Sequence, residues 1–124
     1  MLLVTADPDR GRRWFEGFRA SKCEVEWVPD GFCALARLHE RSFDVVFVDD
    51  SCKDFGSVEL GLNIRDLSAN SVIAIFGAGK TPQYAKVSER CGFVLVMPDE
   101  ELEGVVDRVV TLAKQRKSED ATGR

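Results

Sequence analysis

A single run of apolar residues that ends in two carboxylates constrains this chain most strongly. From Phe43 to Asp49 the sequence reads Phe-Asp-Val-Val-Phe-Val-Asp, and Asp50 follows. A segment this rich in valine and phenylalanine is typical of a strand that is buried on both faces, as in a parallel sheet. Open α/β sheets form their crevices beyond the carboxyl ends of the strands. We therefore expect Asp49 at the mouth of a crevice, at the end of a rigid element.

Apolar segments and helical patterns alternate along the rest of the chain. We predict strands over Met1–Thr5, Cys23–Trp27, Phe43–Asp49, Ser71–Phe76 and Phe93–Met97. Apolar side chains at helical spacing predict a helix after each strand. This (βα)5 order, with right-handed crossovers, favours an α/β flavodoxin-like fold: five parallel strands in the order 2-1-3-4-5, with helices on both faces. That order brings four acids to one crevice: Asp7, Asp9, Asp49 and Asp50.

Size and composition narrow the class of protein. The 124 residues, 44% of them hydrophobic, suit one domain over residues 1–114, followed by a polar, disordered tail over residues 115–124. A formal charge of −4 without a basic stripe argues against a nucleic-acid partner. The absence of a long apolar run and of a signal-peptide pattern predicts a cytoplasmic protein that does not enter a membrane. One histidine and four widely spaced cysteines predict no zinc site.

Several motifs, in their order and spacing, resemble the receiver domain of bacterial two-component response regulators, the CheY-like family. The strand that ends at Asp49 is similar to the family's strand that carries the phospho-accepting aspartate, which implies that Asp49 holds the phosphoacceptor position. Asp30-Gly31 before a helix, the segment Val72–Ile75, and Pro98 before an acidic helix start match further parts of the family pattern. The resemblance spans residues 2–113 and implies a role in signal transduction or a phosphorelay.

Several positions of the implied pocket depart from the family pattern. The family has two acids after the first strand, which bind Mg²⁺ together with the acceptor. This chain has Thr5, Ala6 and Asp7 there, so at least one acid is missing in either alignment. Phe76 stands in place of the Thr or Ser that ends the fourth strand, and Met97 stands in place of the Lys before the proline.

These departures predict a degenerate, pseudo-receiver pocket. Phosphoryl transfer to a carboxylate brings negative charge onto negative charge, which Mg²⁺ and a lysine normally offset. Asp7 and Asp49 would hold Mg²⁺ weakly, because this ion prefers a full octahedral set of oxygen ligands. Phe76 has no hydroxyl to bind a phosphoryl oxygen, and Met97 is expected to pack into a gap. We expect no cofactor other than weakly bound Mg²⁺.

The basic residues near this pocket leave several interpretations open. Three arginines lie at the start of the first helix: Arg10, Arg12 and Arg13. They are interpreted in one of three ways: as a solvated surface, as partners of the crevice acids, or as a binding site for an anion. Lys53 or Lys80 is a candidate substitute for the missing lysine. The segment Gly77–Thr81 is similar to a P-loop, but Ala74 stands where that motif requires glycine. Cys52 has acidic neighbours, which predicts an unreactive thiol.

The first functional hypothesis is a pseudo-receiver that is not an enzyme and that signals through protein–protein contacts without phosphorylation. In the resembled family the fourth helix, fifth strand and fifth helix commonly form the contact face, which implies the interaction residues Tyr84, Val87, Val94 and Val96. The partner would be a signalling protein, another domain of a larger regulator or a second copy in a homodimer. Two alternatives remain. One is a response regulator phosphorylated on Asp49 by a histidine kinase, with an atypical Mg²⁺ pocket. The other is a small-ligand or nucleotide-binding module on the same fold.

Overall fold

The computed structural model describes residues 1–52, 54, 56–77 and 82–122, with the side chains of residues 82–84 and 118–122 excepted. Strands and helices alternate along these ranges. The strands are β1 (Leu2–Val4), β2 (Glu26–Val28), β3 (Val45–Asp49), β4 (Val72–Phe76) and β5 (Val94–Val96). The helices are α1 (Pro8–Ala20), α2 (Gly31–Glu40), α3 (Ser57–Leu67), α4 (Pro82–Arg90) and α5 (Leu102–Thr122).

The strands form one parallel sheet in the order β2-β1-β3-β4-β5, which confirms the predicted flavodoxin-like topology. The three central strands β1, β3 and β4 are buried along their whole length, as their continuous apolar sequences predicted. Asp49 at the end of β3 lies opposite Phe76 at the end of β4. The strand order reverses between β1 and β3, so Asp49 lies at the point where sheets of this type form a crevice.

The sheet separates two hydrophobic layers of different character, because alternate residues of a strand face opposite sides. The layer that includes α2 and α3 is mostly aliphatic. The layer that includes α1 and α5 is rich in aromatic side chains: Trp14, Phe18, Phe47 and Phe76. The aromatic layer reaches the carboxyl edge of the sheet at Phe76, next to the residues that form the candidate site.

The start of α1 is fixed by a carboxylate cap from the segment Asp7-Pro8-Asp9. Oδ1 of Asp7 accepts hydrogen bonds from the backbone amides of Asp9 and Arg10, each at 3.0 Å. Pro8 takes the first helical position, where a missing N–H costs nothing. This cap places Arg10 in the first turn of the helix, close to the end of β1.

β2 begins and ends later than predicted, over Glu26–Val28 instead of Cys23–Trp27. The side chain of Trp27 is 38% exposed and its indole lies against α1. A Cβ at Gly11 would lie 2.0 Å from the indole, so the helix approaches Trp27 this closely because residue 11 has no side chain.

Helix α5 runs to Thr122 and so includes residues 115–122 of the segment that the sequence predicted to be a disordered tail. Arg116 donates a hydrogen bond of 2.6 Å to the carbonyl oxygen of Ser71, and this contact holds the extension against the sheet. A polar composition therefore did not end the helix. The boundary of the receiver-like domain at residue 114 stays a prediction. In the described part of the chain, every helix is too short or too polar to cross a lipid bilayer.

Candidate functional site

The carboxyl ends of β1 and β3 are joined through buried oxygen atoms. Asp49 is 0% exposed, and its Oδ2 accepts a hydrogen bond of 2.7 Å from the hydroxyl of Thr5. The same hydroxyl accepts a hydrogen bond from the amide of Asp7 at 3.1 Å and lies 3.2 Å from the hydroxyl of Ser51. Oγ of Ser51 in turn accepts a hydrogen bond from the amide of Ala6 at 2.9 Å. The turn between β1 and α1 is thus tied to the end of β3.

Arg10 extends from the first turn of α1 into a group of three carboxylates. Its Nη1 lies 3.0 Å from Oδ1 of Asp49 and 3.3 Å from Oδ1 of Asp50. Its Nε donates to Oδ2 of Asp7 at 3.1 Å. The centre of the guanidinium lies 5.1 Å from the centroid of the Phe76 ring, within the range of a cation–π interaction. Arg10 therefore binds both sides of the crevice at once.

The charges of the site shift one another's pKa values. Burial raises the pKa of Asp49, and the nearby hydroxyls of Ser51 and Thr5 and the charge of Arg10 offset part of this increase. The backbone hydrogen bond from Arg10 is the main reason that the pKa of Asp7 is lowered, and the Arg10 side chain adds to it. Burial opposes the charged form of Arg10, yet the carboxylates, led by Asp49, raise its pKa. Arg10 stays charged at every physiological pH.

Phe76 closes the site on the β4 side. Its ring packs against Trp14 with centroids 5.9 Å apart in an edge-on arrangement, and its side chain is buried. Met97, by contrast, does not pack into the pocket as we expected. It is 37% exposed and follows the end of β5, where its amide donates to Oε2 of Glu100 at 2.6 Å.

Gly77, which follows β4, is required by the position of Asp50. Its φ of +91° lies in the region that favours glycine. A Cβ at this position would lie 2.2 Å from Oδ2 of Asp50. Gly77, which had suggested a P-loop, is therefore explained by the close contact of its backbone with the carboxylate of Asp50.

The resemblance implies Mg²⁺ at this pocket, but the described residues do not fit the ion. Among them, no set of three His, Cys, Asp or Glu side chains is arranged to hold a metal ion, and the three carboxylates near Arg10 surround its guanidinium instead. Thr5 and Ala6 supply no carboxylate. Oδ1 of Asp7 is used by helix amides and Oδ2 is used by Arg10. The two predicted ligands, Asp7 and Asp49, thus bind one guanidinium, whose charge repels a cation.

The residues of the predicted interaction face differ in their exposure. Val87 on α4 is 38% exposed, and Val94 on β5 is partly buried. Val96 is fully buried in the aromatic layer, so it has no exposed surface to offer a partner, whereas Val94, two residues earlier and on the same face of the strand, is only partly covered. The side chain of Tyr84 lies outside the described residues.

Of the three arginines at the start of α1, Arg12 and Arg13 are exposed, and Arg10 reaches the crevice acids. Lys53 and Lys80 lie outside the described residues. Cys52 is buried, and burial together with nearby carboxylates raises the pKa of its thiol to about 11. A raised pKa disfavours the reactive thiolate, which supports the prediction of an unreactive thiol.

The sequence analysis missed Trp27 and Ser51 as contributors to the site. Trp27 closes the β2 side, since its Nε1–H donates to the carbonyl oxygen of Thr5 at 3.1 Å. The role of Arg10 was left as one of three alternatives. A signal for it was present, because Arg10, Trp14 and Phe18 are spaced by four residues and so share the face of α1 that meets the sheet.

Comparisons with known sequences match part of the chain. No family model matches it. The autoinducer 2 sensor kinase/phosphatase LuxQ of Vibrio vulnificus, in strains YJ016 and CMCP6, is 40% identical over 42 residues, which cover 34% of this chain and 5% of LuxQ. The chain thus matches a small fraction of the length of these curated relatives.

Solved structures match almost the whole chain. A response regulator receiver domain protein (CheY-like) from Methanospirillum hungatei is similar with a TM-score of 0.87 and 15% identity, over 95% of each chain. The BeF3-activated receiver domain of DrrB is similar with a TM-score of 0.79 and 17% identity, over 91% of this chain and 95% of DrrB's. The chain therefore has the fold of the CheY-like receiver domains of response regulators.

Proposed function

We propose that this chain is a pseudo-receiver, an atypical receiver domain that takes part in two-component-type signalling through protein–protein contacts and without phosphorylation. The observation that carries this proposal is the closure of Asp49. The residue is 0% exposed, one of its oxygens accepts the Thr5 hydroxyl, and the other lies 3.0 Å from the Arg10 guanidinium. A carboxylate must present a free oxygen to phosphorus before it can accept a phosphoryl group.

Electrostatics supports the same conclusion. A phosphoryl group arriving at Asp49 adds negative charge beside Asp7 and Asp50, and Arg10 is already engaged with all three carboxylates. Stabilisation of phosphoryl transfer normally depends on cations that are placed for the incoming oxygens. Phe76 presents an apolar ring at the end of β4, which cannot hold such an oxygen.

The second candidate is a response regulator that a histidine kinase phosphorylates on Asp49. It is favoured by the position of Asp49 at the carboxyl end of β3, opposite the end of β4. In this case the Arg10–Asp49 contact opens, and Arg10 serves as the cation for the phosphoryl oxygens.

The proposed partner is a signalling protein or another domain of a larger regulator, with a homodimer as the alternative. The match to a short part of the sensor kinase/phosphatase LuxQ supports a setting in two-component signalling. The proposed contact surface is the part of α4 and β5 around Val87 and Val94, because both side chains keep some exposure. We propose that the domain acts in the cytoplasm, without enzymatic activity of its own.

The test is to incubate the protein with MgCl2 and either acetyl phosphate or beryllofluoride, and then to record intact mass and the ¹H–¹⁵N spectrum. We expect no covalent phosphate and no Mg²⁺-dependent shift of the Asp49 amide. Asp49→Asn is the matched control and should give the same result as the wild type. The DrrB receiver domain, which has been solved in its BeF3-activated form, serves as the positive control. Stoichiometric phosphorylation of Asp49 would establish the second candidate instead.

A further inference from the structure

We propose that Arg10 is a resident cation of the pocket: its guanidinium holds Asp7, Asp49 and Asp50 together and keeps divalent ions out. This inference rests on the proposed function, since it assigns the closure of the pocket to one side chain. It predicts that Mg²⁺ is excluded because the Arg10 guanidinium occupies the pocket, and that removing Arg10 allows Mg²⁺ to bind.

The contacts of Arg10 match those needed of a bridging cation. A guanidinium presents five N–H donors in a planar fork. Nη1 lies within 3.3 Å of oxygens of both Asp49 and Asp50, and Nε is 3.1 Å from Oδ2 of Asp7. The three carboxylates come from α1's cap, from the end of β3 and from the loop after β3. One side chain thus joins two segments that would otherwise repel each other.

The charge balance explains why the removal of Arg10 should matter. Among the described residues, the three carboxylates and the one guanidinium sum to −2, and without Arg10 the three carboxylates sum to −3. Asp49 is fully buried, so its charge is poorly screened by water. Concentrated carboxylate charge of this kind attracts a hard divalent cation such as Mg²⁺.

Two groups contact Arg10 and hold it in this position. Asp7 caps α1 and also accepts the Arg10 Nε, so the start of the helix and the side chain are oriented together. The ring of Phe76 lies 5.1 Å below the guanidinium and is itself fixed by Trp14. Phe76 therefore has two effects: its ring supports the guanidinium of Arg10, and it offers no hydroxyl to a phosphoryl oxygen.

The experiment measures divalent-ion binding by calorimetry with Mg²⁺ and by Mn²⁺-induced broadening of the Thr5 and Asp49 amide signals. Arg10→Gln should bind Mg²⁺ at least about tenfold more tightly than the wild type. Arg12→Gln removes an exposed positive charge from the same helix, and it should behave like the wild type. Adding Asp50→Asn to Arg10→Gln should abolish the gain.

A second variant covers the case in which Arg10→Gln does not fold. Phe76→Leu keeps apolar volume but removes the ring under the guanidinium, and it should raise Mg²⁺ affinity by a smaller factor, about threefold. The inference is overturned if the folded variants show no gain over the wild type, or if the wild type binds Mg²⁺ as tightly as Arg10→Gln. These outcomes leave the proposed function standing as long as Asp49 stays unphosphorylated in the wild type. Phosphorylation of the wild type would contradict the proposed function whatever the metal titrations show.

Discussion

The two edges of the sheet both contain arginines that reach from a helix to a strand end, and they use them differently. At the carboxyl edge, Arg10 of α1 meets three carboxylates. At the amino edge, Arg65 of α3 and Arg116 of α5 donate to backbone carbonyl oxygens, and both reach the carbonyl of Ser71. The comparison indicates that Arg10 acts through its charge, whereas Arg65 and Arg116 act through the hydrogen bonds that they donate.

The amino edge has the features of a structural element. Arg65 donates from Nη1 to the carbonyl oxygens of Ala69 and Ser71 at 3.0 and 3.3 Å, and from Nη2 to that of Cys91 at 3.1 Å. Burial lowers the pKa of Arg65, and the neighbouring charge of Arg116 lowers it further. No carboxylate in the described part of the chain forms an ion pair with Arg65, so its role here is to satisfy carbonyls that precede β4 and β5.

The largest effect is expected from Arg65→Met, which should reduce the free energy of unfolding by about 3 kcal/mol. The carbonyl oxygens of Ala69 and Cys91 lose a charged donor, and each such loss costs about 1.5 kcal/mol, whereas that of Ser71 keeps its hydrogen bond from Arg116. Urea denaturation at low and high NaCl measures this, and the loss should not become smaller at high NaCl, because no ion pair is broken and salt only screens the repulsion between Arg65 and Arg116. Arg12→Met, at an exposed position, is the control and should change stability by less than about 0.5 kcal/mol. A strongly salt-dependent loss at Arg65 would remove the distinction between the two edges.

The next largest effect tests how tightly the carboxyl edge is closed. Gly11→Ala should destabilise the protein by about 2 kcal/mol, because the new methyl group would lie 2.0 Å from the Trp27 indole. Loss of the Trp27–Thr5 hydrogen bond should appear as a shift of the indole N–H signal. Gly104→Ala is the matched control: Gly104 lies in α5, and a Cβ added there would have no atom within 4 Å apart from the helix's own backbone and the adjacent residues. It should stabilise the protein by roughly 0.5 kcal/mol through helix propensity. Equal changes in the free energy of unfolding for the two substitutions would show that the indole of Trp27 can move aside with little loss of stability.

The smallest effect is a gain at the buried acid itself. The pKa of Asp49 is raised in the folded protein, so Asp49 costs stability increasingly as pH rises from its unfolded pKa, about 3.9, through its folded pKa. Asp49→Asn should therefore be more stable than the wild type at pH 7, by about 1 kcal/mol. The difference should vanish below about pH 4, where the carboxyl group is protonated in both states.

Thermal or urea unfolding across this pH range measures the difference, with Asp66→Asn as the exposed control. If Asp49→Asn is destabilising at pH 7, the ion pair with Arg10 outweighs the cost of burial, and the carboxyl edge is held together more strongly than the pKa shift indicates.

The fold could be predicted from the sequence because its strongest signals are local. The run Phe43–Asp49 is apolar on both faces, and Asp7 and Asp30 mark helix starts by the chemistry of their side chains. The position of Asp49 at the carboxyl edge followed from strand order. Such features depend on a few neighbouring residues, and the structure confirms the order of elements that they predicted.

The details of the site were less predictable because they depend on contacts between distant segments. Which arginine reaches Asp49 depends on how α1 is rotated over the sheet, and Arg10 shares its face with Trp14. Val96 looked suitable for a partner because its strand was assigned to an interface, yet its side chain is fully covered by the aromatic layer. Met97 was expected to fill a gap, but the chain leaves the sheet at that point and exposes it.

The position of Trp27 makes its fluorescence a reporter of the carboxyl edge of the sheet. Its indole donates to the backbone of Thr5, whose hydroxyl binds Asp49, so one fluorophore lies two hydrogen bonds from the central acid. The indole is also 38% exposed and therefore sensitive to solvent. With Trp14 replaced by Phe, the emission of Trp27 reports, without any label, when a partner or ion rearranges that end of the sheet.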